Sequence, residues 1–155
     1  RRCEGYPGFS SQHFGARGTS MSRSGYSDNC ENLGLWRSPV WRAINGARGQ
    51  AFLRELIAAL DAMPEKRLIA GELIRDGEVC AIGSVGLARG MDLTRIDYEN
   101  PRFVGRAFGI AKSMAAEIEY ENDGDHHYDT ETAEARWRRM RSWAVSNLNE
   151  TPEPR

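Results

Sequence analysis

No apolar run in this sequence approaches the ~20 residues needed to cross a bilayer as a helix. The longest apolar stretches are interrupted by Arg54, Glu55, Asp61 and Glu72. The N-terminus lacks the charged-then-apolar order of a signal peptide. Charge of one sign is also missing: 21 Lys and Arg stand against 22 Asp and Glu, a net charge of -1. Composition therefore gives no global pull toward nucleic acid, and any such role needs a local patch. These absences predict a soluble cytoplasmic protein with no membrane partner. At 155 residues, the chain is long enough to bury a core as one domain.

Catalytic and cofactor signatures are equally scarce. The three cysteines, Cys3, Cys30 and Cys80, form no C-x-x-C pair, and no histidine stands at zinc-finger spacing from them. Cys80 lies in "EVCAIGSV" and reads as a small buried hydrophobe; its only local base is Glu78, so little would activate a thiolate. Ser84 in "IGSVG" lacks the glycine two positions earlier that a nucleophile elbow requires. The glycines at 83, 86 and 90 match neither a dinucleotide fingerprint nor a phosphate loop. Of three histidines, His13 is far from the other two. No cofactor and no catalytic residue is expected, and whether the chain has enzymatic activity stays open.

What is present is helical patterning. Residues 1–32 are rich in Gly, Ser and Arg and carry no apolar periodicity, so a disordered N-terminal segment is expected. Met21 looks like a natural start, and residues 1–20 read as upstream read-through or an expression remnant. From 33 to 148 a single helical domain is predicted, all-α, with five or six helices. Ser38-Pro39 suits an N-cap and first helical position, and Asn45-Gly46 ends that segment. "GQAFLRELIAALDAM" sets Phe52, Leu56, Ala59, Leu60 and Met63 on one face. Leu68, Ile69 and Leu73 have helical spacing, which favours two helices over 68–85; a short hairpin turning at Asp76-Gly77 is the alternative. Asn100-Pro101 caps a further helix, predicted to bury Phe103, Ala107, Ile110, Ala111, Met114 and Ile118. The last helix starts near Asp129 or Thr130, and its stripe is Ala133, Trp137, Met140, Ala144 and Leu148. The predicted core is Phe52, Leu56, Leu60, Phe108, Ile110, Met114, Trp137 and Met140, and residues 149–155 form a frayed tail.

Two stretches carry candidate chemistry. In "EYENDGDHHYD", Asp123, His126 and His127 are weak candidates for a metal site. Aligning Gly124 with the glycine of a calcium loop leaves Thr130 where a bidentate glutamate is required, so that motif fails. Adjacent histidines also tend to diverge, and a solvated polar loop is the simpler reading. In "RWRRMRSW", helical spacing brings Arg136, Arg139 and Trp143 onto one strip, which could hold phosphates and stack a base. The competing reading lays the arginine stems along the core edge and pairs Arg138 with Glu134. Arg42 and Arg48, with Arg37 and Arg54, form a second basic group. A fold that gathered exposed arginines on one face would favour nucleic acid.

The stretch from Met21 to Gly90, with "AFGIAKSMAAEIEYEND" and "RWRRMRSWAV", resembles a family of short bacteriophage and prophage proteins of proteobacteria. The resemblance spans about Met21 to Leu148 and implies a phage-linked context, without assigning a role to any residue. A protein that binds a macromolecular partner, protein or nucleic acid, is the leading expectation. A nucleic-acid-binding module and a metal-dependent enzyme at His126/His127 are its alternatives.

Overall fold

The computed structural model describes residues 23–24, 33–124 and 130–149. Six α-helices and one two-stranded hairpin follow in the order α1 (Leu33–Asn45), α2 (Ala47–Ala62), β1 (Ile74–Arg75), β2 (Glu78–Val79), α3 (Ala81–Ala88), α4 (Pro101–Phe108), α5 (Lys112–Asp123) and α6 (Ala133–Ser146). The mostly helical expectation holds. No helix among the described residues is long and apolar enough to cross a membrane.

Helix α2 follows its sequence pattern closely, burying Phe52, Leu53, Leu56, Ala59 and Leu60. The break at Asn45-Gly46 is where α1 gives way to α2, with Gly46 as N-cap. Helix α1, however, begins at Leu33 and carries Pro39 in its interior, so Ser38-Pro39 is not the helix start expected of it. A proline there removes one intrahelical donor, and the α1 backbone is braced from outside: Ser113 Oγ donates to the Pro39 carbonyl at 3.4 Å.

Between α2 and α3 the chain forms a hairpin, not the favoured first helix. Ile74 faces Val79 and Arg75 faces Glu78 in antiparallel register. Asp76 and Gly77 have φ of 53° and 83°, the paired positive values of a tight hairpin turn. Leu68, Ile69 and Leu73 are all buried, but by an irregular segment whose N–H groups bond outward, Leu68 to Ala133 O and Ile69 to Val79 O. Helix α3 does form, and its glycines allow close approach to neighbouring elements. A Cβ on Gly83 would stand 2.2 Å from Leu73 O, and one on Gly86 would stand 2.3 Å from Leu93 Cδ2.

The long helix expected from Pro101 is split. Asn100 accepts from Arg102 N and Pro101 takes the first turn as predicted, yet Gly109 at φ 74° ends α4 and α5 starts again at Lys112. The split rotates the faces: Ile110, Met114 and Ile118 are buried as expected, whereas Phe103 is 46% exposed and Ala107 and Ala111 face solvent. Helix α5 becomes the central element, packed against α1, α3, α4 and α6. Phe52 of α2 meets Phe108 of α4 edge-to-face, centroids 6.3 Å apart. Helix α6 begins at Ala133 with Thr132 as N-cap, a few residues later than expected. It buries Met140 and Ala144, while Trp137 is half-buried and donates its Nε1–H to Leu60 O at 3.1 Å.

Candidate functional site

The C-terminal end of α5 carries a buried polar cluster. Asn122 is fully committed: its Oδ1 accepts from Ala81 N, and its Nδ2 donates to Ile69 O and to Asp123 Oδ1, each at 2.9 Å. It thereby ties α5 to the segment before the hairpin and to the first turn of α3. Asp123 accepts Gly71 N–H at 2.9 Å and the two-pronged guanidinium of Arg23, Nε to Oδ2 at 2.8 Å and Nη2 to Oδ1 at 2.9 Å. Arg23 and Ser24 lie within the segment expected to be disordered, but the Arg23 side chain is only 4% exposed and Ser24 is buried. The expectation is corrected at those two positions; the rest of 1–32 lies outside the described residues.

One turn before Asp123, Glu119 is fully buried and neither of its carboxyl oxygens has a hydrogen-bond partner among the described residues. Burial pushes its carboxyl up to about 8, with the Arg23 charge opposing that rise and the Asp123 charge adding to it. Desolvation also raises the Cys80 thiol, against the pull of Arg23 and of the Gly83 N–H. Cys80 is therefore a buried thiol and not a poised thiolate, as its sequence context implied.

Helix α6 turns its arginines onto the same end of α5. Arg136, 5% exposed, donates from Nε to Asn122 O at 3.0 Å and from Nη1 to Leu68 O at 3.1 Å. Arg139 forks onto Glu131 through Nε at 2.7 Å and Nη2 at 2.8 Å, and also bonds the carbonyls of Glu121 and Asn122. The last carbonyls of a helix have no intrahelical partner and attract cations, and these two guanidiniums supply both needs. Trp143 packs half-buried against the core. The strip of Arg136, Arg139 and Trp143 is thus not a free basic surface. Glu134 is not the partner of Arg138 either; it pairs with Arg67 at 3.4 Å.

Other arginines are exposed. Arg42, Arg48, Arg54, Arg102, Arg106 and Arg138 are exposed and have no ion-pair partner among the described residues. Their relation follows from α5. Arg37 of α1 reaches Glu117 at 3.0 Å and Pro39 lies at Ser113, so α1 runs antiparallel to α5. Its following residues, Trp41 and Arg42, consequently approach the start of α5. Helix α4 packs on that same start, because Gly105 leaves room for the Ile110 carbonyl and the Lys112 backbone. Partial burial lowers the Lys112 ammonium, and the charge of Arg102 lowers it further. Trp41 is 67% exposed and Phe103 46%. Arg102, Phe103 and Arg106 are thus exposed on α4, beside Lys112 at the start of α5, while Trp41 and Arg42 are exposed on α1, the other helix packed against α5 near Ser113, and Arg48 is exposed at the start of α2.

Sequence reasoning had singled out Arg42 and Arg48 for this role but missed Trp41, Arg102, Phe103 and Arg106. The signal was readable in Arg102 and Arg106, four apart on a helix; the expected inward turn of Phe103 hid it. His126 and His127 lie outside the described residues. Asp123, the third candidate ligand, sits in α5 with its carboxylate engaged by Arg23, Gly71 and Asn122. Among the described residues no group of three or more His, Cys, Asp or Glu side chains could hold a metal ion. No family model, curated protein or solved structure matches this chain.

Proposed function

We propose that this chain is an accessory protein of phage or prophage type, acting in the bacterial cytoplasm by binding a macromolecular partner, and that the partner is a nucleic acid. The observation that carries the reading is the set of exposed arginines with no carboxylate partner among the described residues, together with the exposed rings of Trp41 and Phe103, on α1 and α4, two helices that both pack on α5. Phosphates neutralise such arginines, and exposed indole and phenyl rings stack bases without regard to sequence. The near-zero net charge makes the interaction local and limits nonspecific attraction from the rest of the surface.

The test is a fluorescence-anisotropy titration of labelled single- and double-stranded oligonucleotides at low salt, repeated as salt rises. Binding that weakens linearly in the logarithm of salt supports the reading. Absence of binding to either oligonucleotide at low salt sinks it. Single strands are expected to bind more tightly, because only unstacked bases can lie on Trp41 and Phe103.

A further inference from the structure

The buried carboxylates at the end of α5 hold more acceptor capacity than Arg23 uses. Arg23 meets Asp123 across 100 positions of sequence, as a parallel fork with both carboxylate oxygens engaged. This is the bidentate geometry that a planar guanidinium satisfies and a point-charge ammonium does not. The receptor half of the pair is held without help from Arg23. Asp123 Oδ1 is fixed by Gly71 N and Asn122 Nδ2, and Asn122 is itself clamped by Ile69 O and Ala81 N. Beside it, Glu119 presents two buried oxygens with no hydrogen-bond partner among the described residues, and Nη1 of Arg23 has none among them either. Arg23 thus serves one carboxylate fully and leaves the second unserved, as expected of a ligand whose position is set by its own backbone. A planar cation free of that tether can tilt to meet both.

We propose that this pocket is a guanidinium-binding site, filled in cis by Arg23, whose ligand class is the alkylguanidinium head of an arginine side chain or a small guanidinium compound. Asp123 is the bidentate anchor, and Glu119 is the second acceptor that a free ligand can use. The fixed geometry of Asp123 makes the site selective for the fork over an ammonium of equal charge. The proposal is independent of the nucleic-acid face, which shares none of these residues.

The experiment removes the occupant and supplies it in trans. Arg23→Ala and Arg23→Met proteins are followed by thermal unfolding and calorimetry with methylguanidine, and with methylammonium at matched ionic strength as control. Methylguanidine at roughly 100 times its dissociation constant is expected to raise Tm by about 5 °C or more in both variants. It should leave the wild type unchanged, and methylammonium should do little to any of the three. Adding Glu119→Gln to Arg23→Ala is expected to weaken methylguanidine binding about tenfold, because glutamine cannot ionise against the bound cation as Glu119 can. Equal stabilisation by the two cations, or equal stabilisation of wild type and variants, overturns the proposal. If Arg23→Ala is unfolded alone, recovery of its helical circular dichroism with methylguanidine supports the site, and failure to recover in methylguanidine counts against it.

Discussion

The two ends of α5 use the same side chain for opposite purposes. At the C-terminal end Arg23, Arg136 and Arg139 are drawn inward, and their guanidiniums are consumed by Asp123, Glu131 and the carbonyls of Leu68, Glu121 and Asn122. On α1 and α4, which pack toward the other end of α5, Arg42, Arg102 and Arg106 face solvent with no carboxylate partner among the described residues. Arginine count along the sequence does not distinguish these ends, and the densest run, in α6, is the one with little left to offer a ligand. The lesson is physical: a helix C-terminus leaves carbonyls that recruit cations, so basic residues folded against one become structural.

The largest effect should come from breaking the inward end. Asp123→Ala strands a buried guanidinium and the Gly71 N–H, and is expected to cost about 3–5 kcal/mol in chemical denaturation. Arg136→Ala, which takes the side-chain donor from the Leu68 carbonyl and one of two from the Asn122 carbonyl, should cost about 1–3 kcal/mol. Oligonucleotide affinity of the folded fraction should be unchanged in both.

Glu119 gives a prediction with a sign. Its folded carboxyl is raised to about 8 from the ordinary carboxylate range, so between those limits the folded chain holds a proton that the unfolded chain has released. Stability therefore falls as pH rises through that window, by 2.303RT per pH unit for each proton retained. Glu119→Gln keeps the shape without the ionisation. It should match wild type near pH 4 and exceed it in Tm at pH 8 to 9, and a constant Tm difference across that range would contradict this.

Smaller effects belong to the outward end. Trp41→Ala should weaken single-strand binding by about 1–3 kcal/mol through lost stacking while moving Tm little, since the ring is 67% exposed. Arg42→Gln with Arg48→Gln should lower affinity and the salt slope more modestly than Arg102→Gln with Arg106→Gln, because Arg48 lies on α2 and not on α1 or α4.

Much of this architecture was legible in the sequence, and the misses share a cause. Helix α2 declares itself because its apolar stripe is set by local spacing, and the Asn100-Pro101 cap because its chemistry spans two residues. Asp76-Gly77 pointed to its turn; helical spacing at Leu68, Ile69 and Leu73 outweighed it, since three buried residues in an irregular segment mimic a period. The α4–α5 division hinged on Gly109 adopting a positive φ, a choice that Ile110 and Met114 would have tolerated either way. The site was harder still. Arg23 and Asp123 meet across most of the chain, and no local pattern can announce such a pair. The wheel placed Arg136 and Arg139 beside the α6 stripe correctly, but whether that margin met water or the end of another helix depended on the packing of α5.

The most direct test of this division of labour is the salt dependence of oligonucleotide binding by Arg102→Gln/Arg106→Gln set beside its thermal unfolding. The predicted result is a log–log salt slope smaller by about two than wild type, with Tm unchanged. A wild-type slope retained in full by the double variant would contradict it.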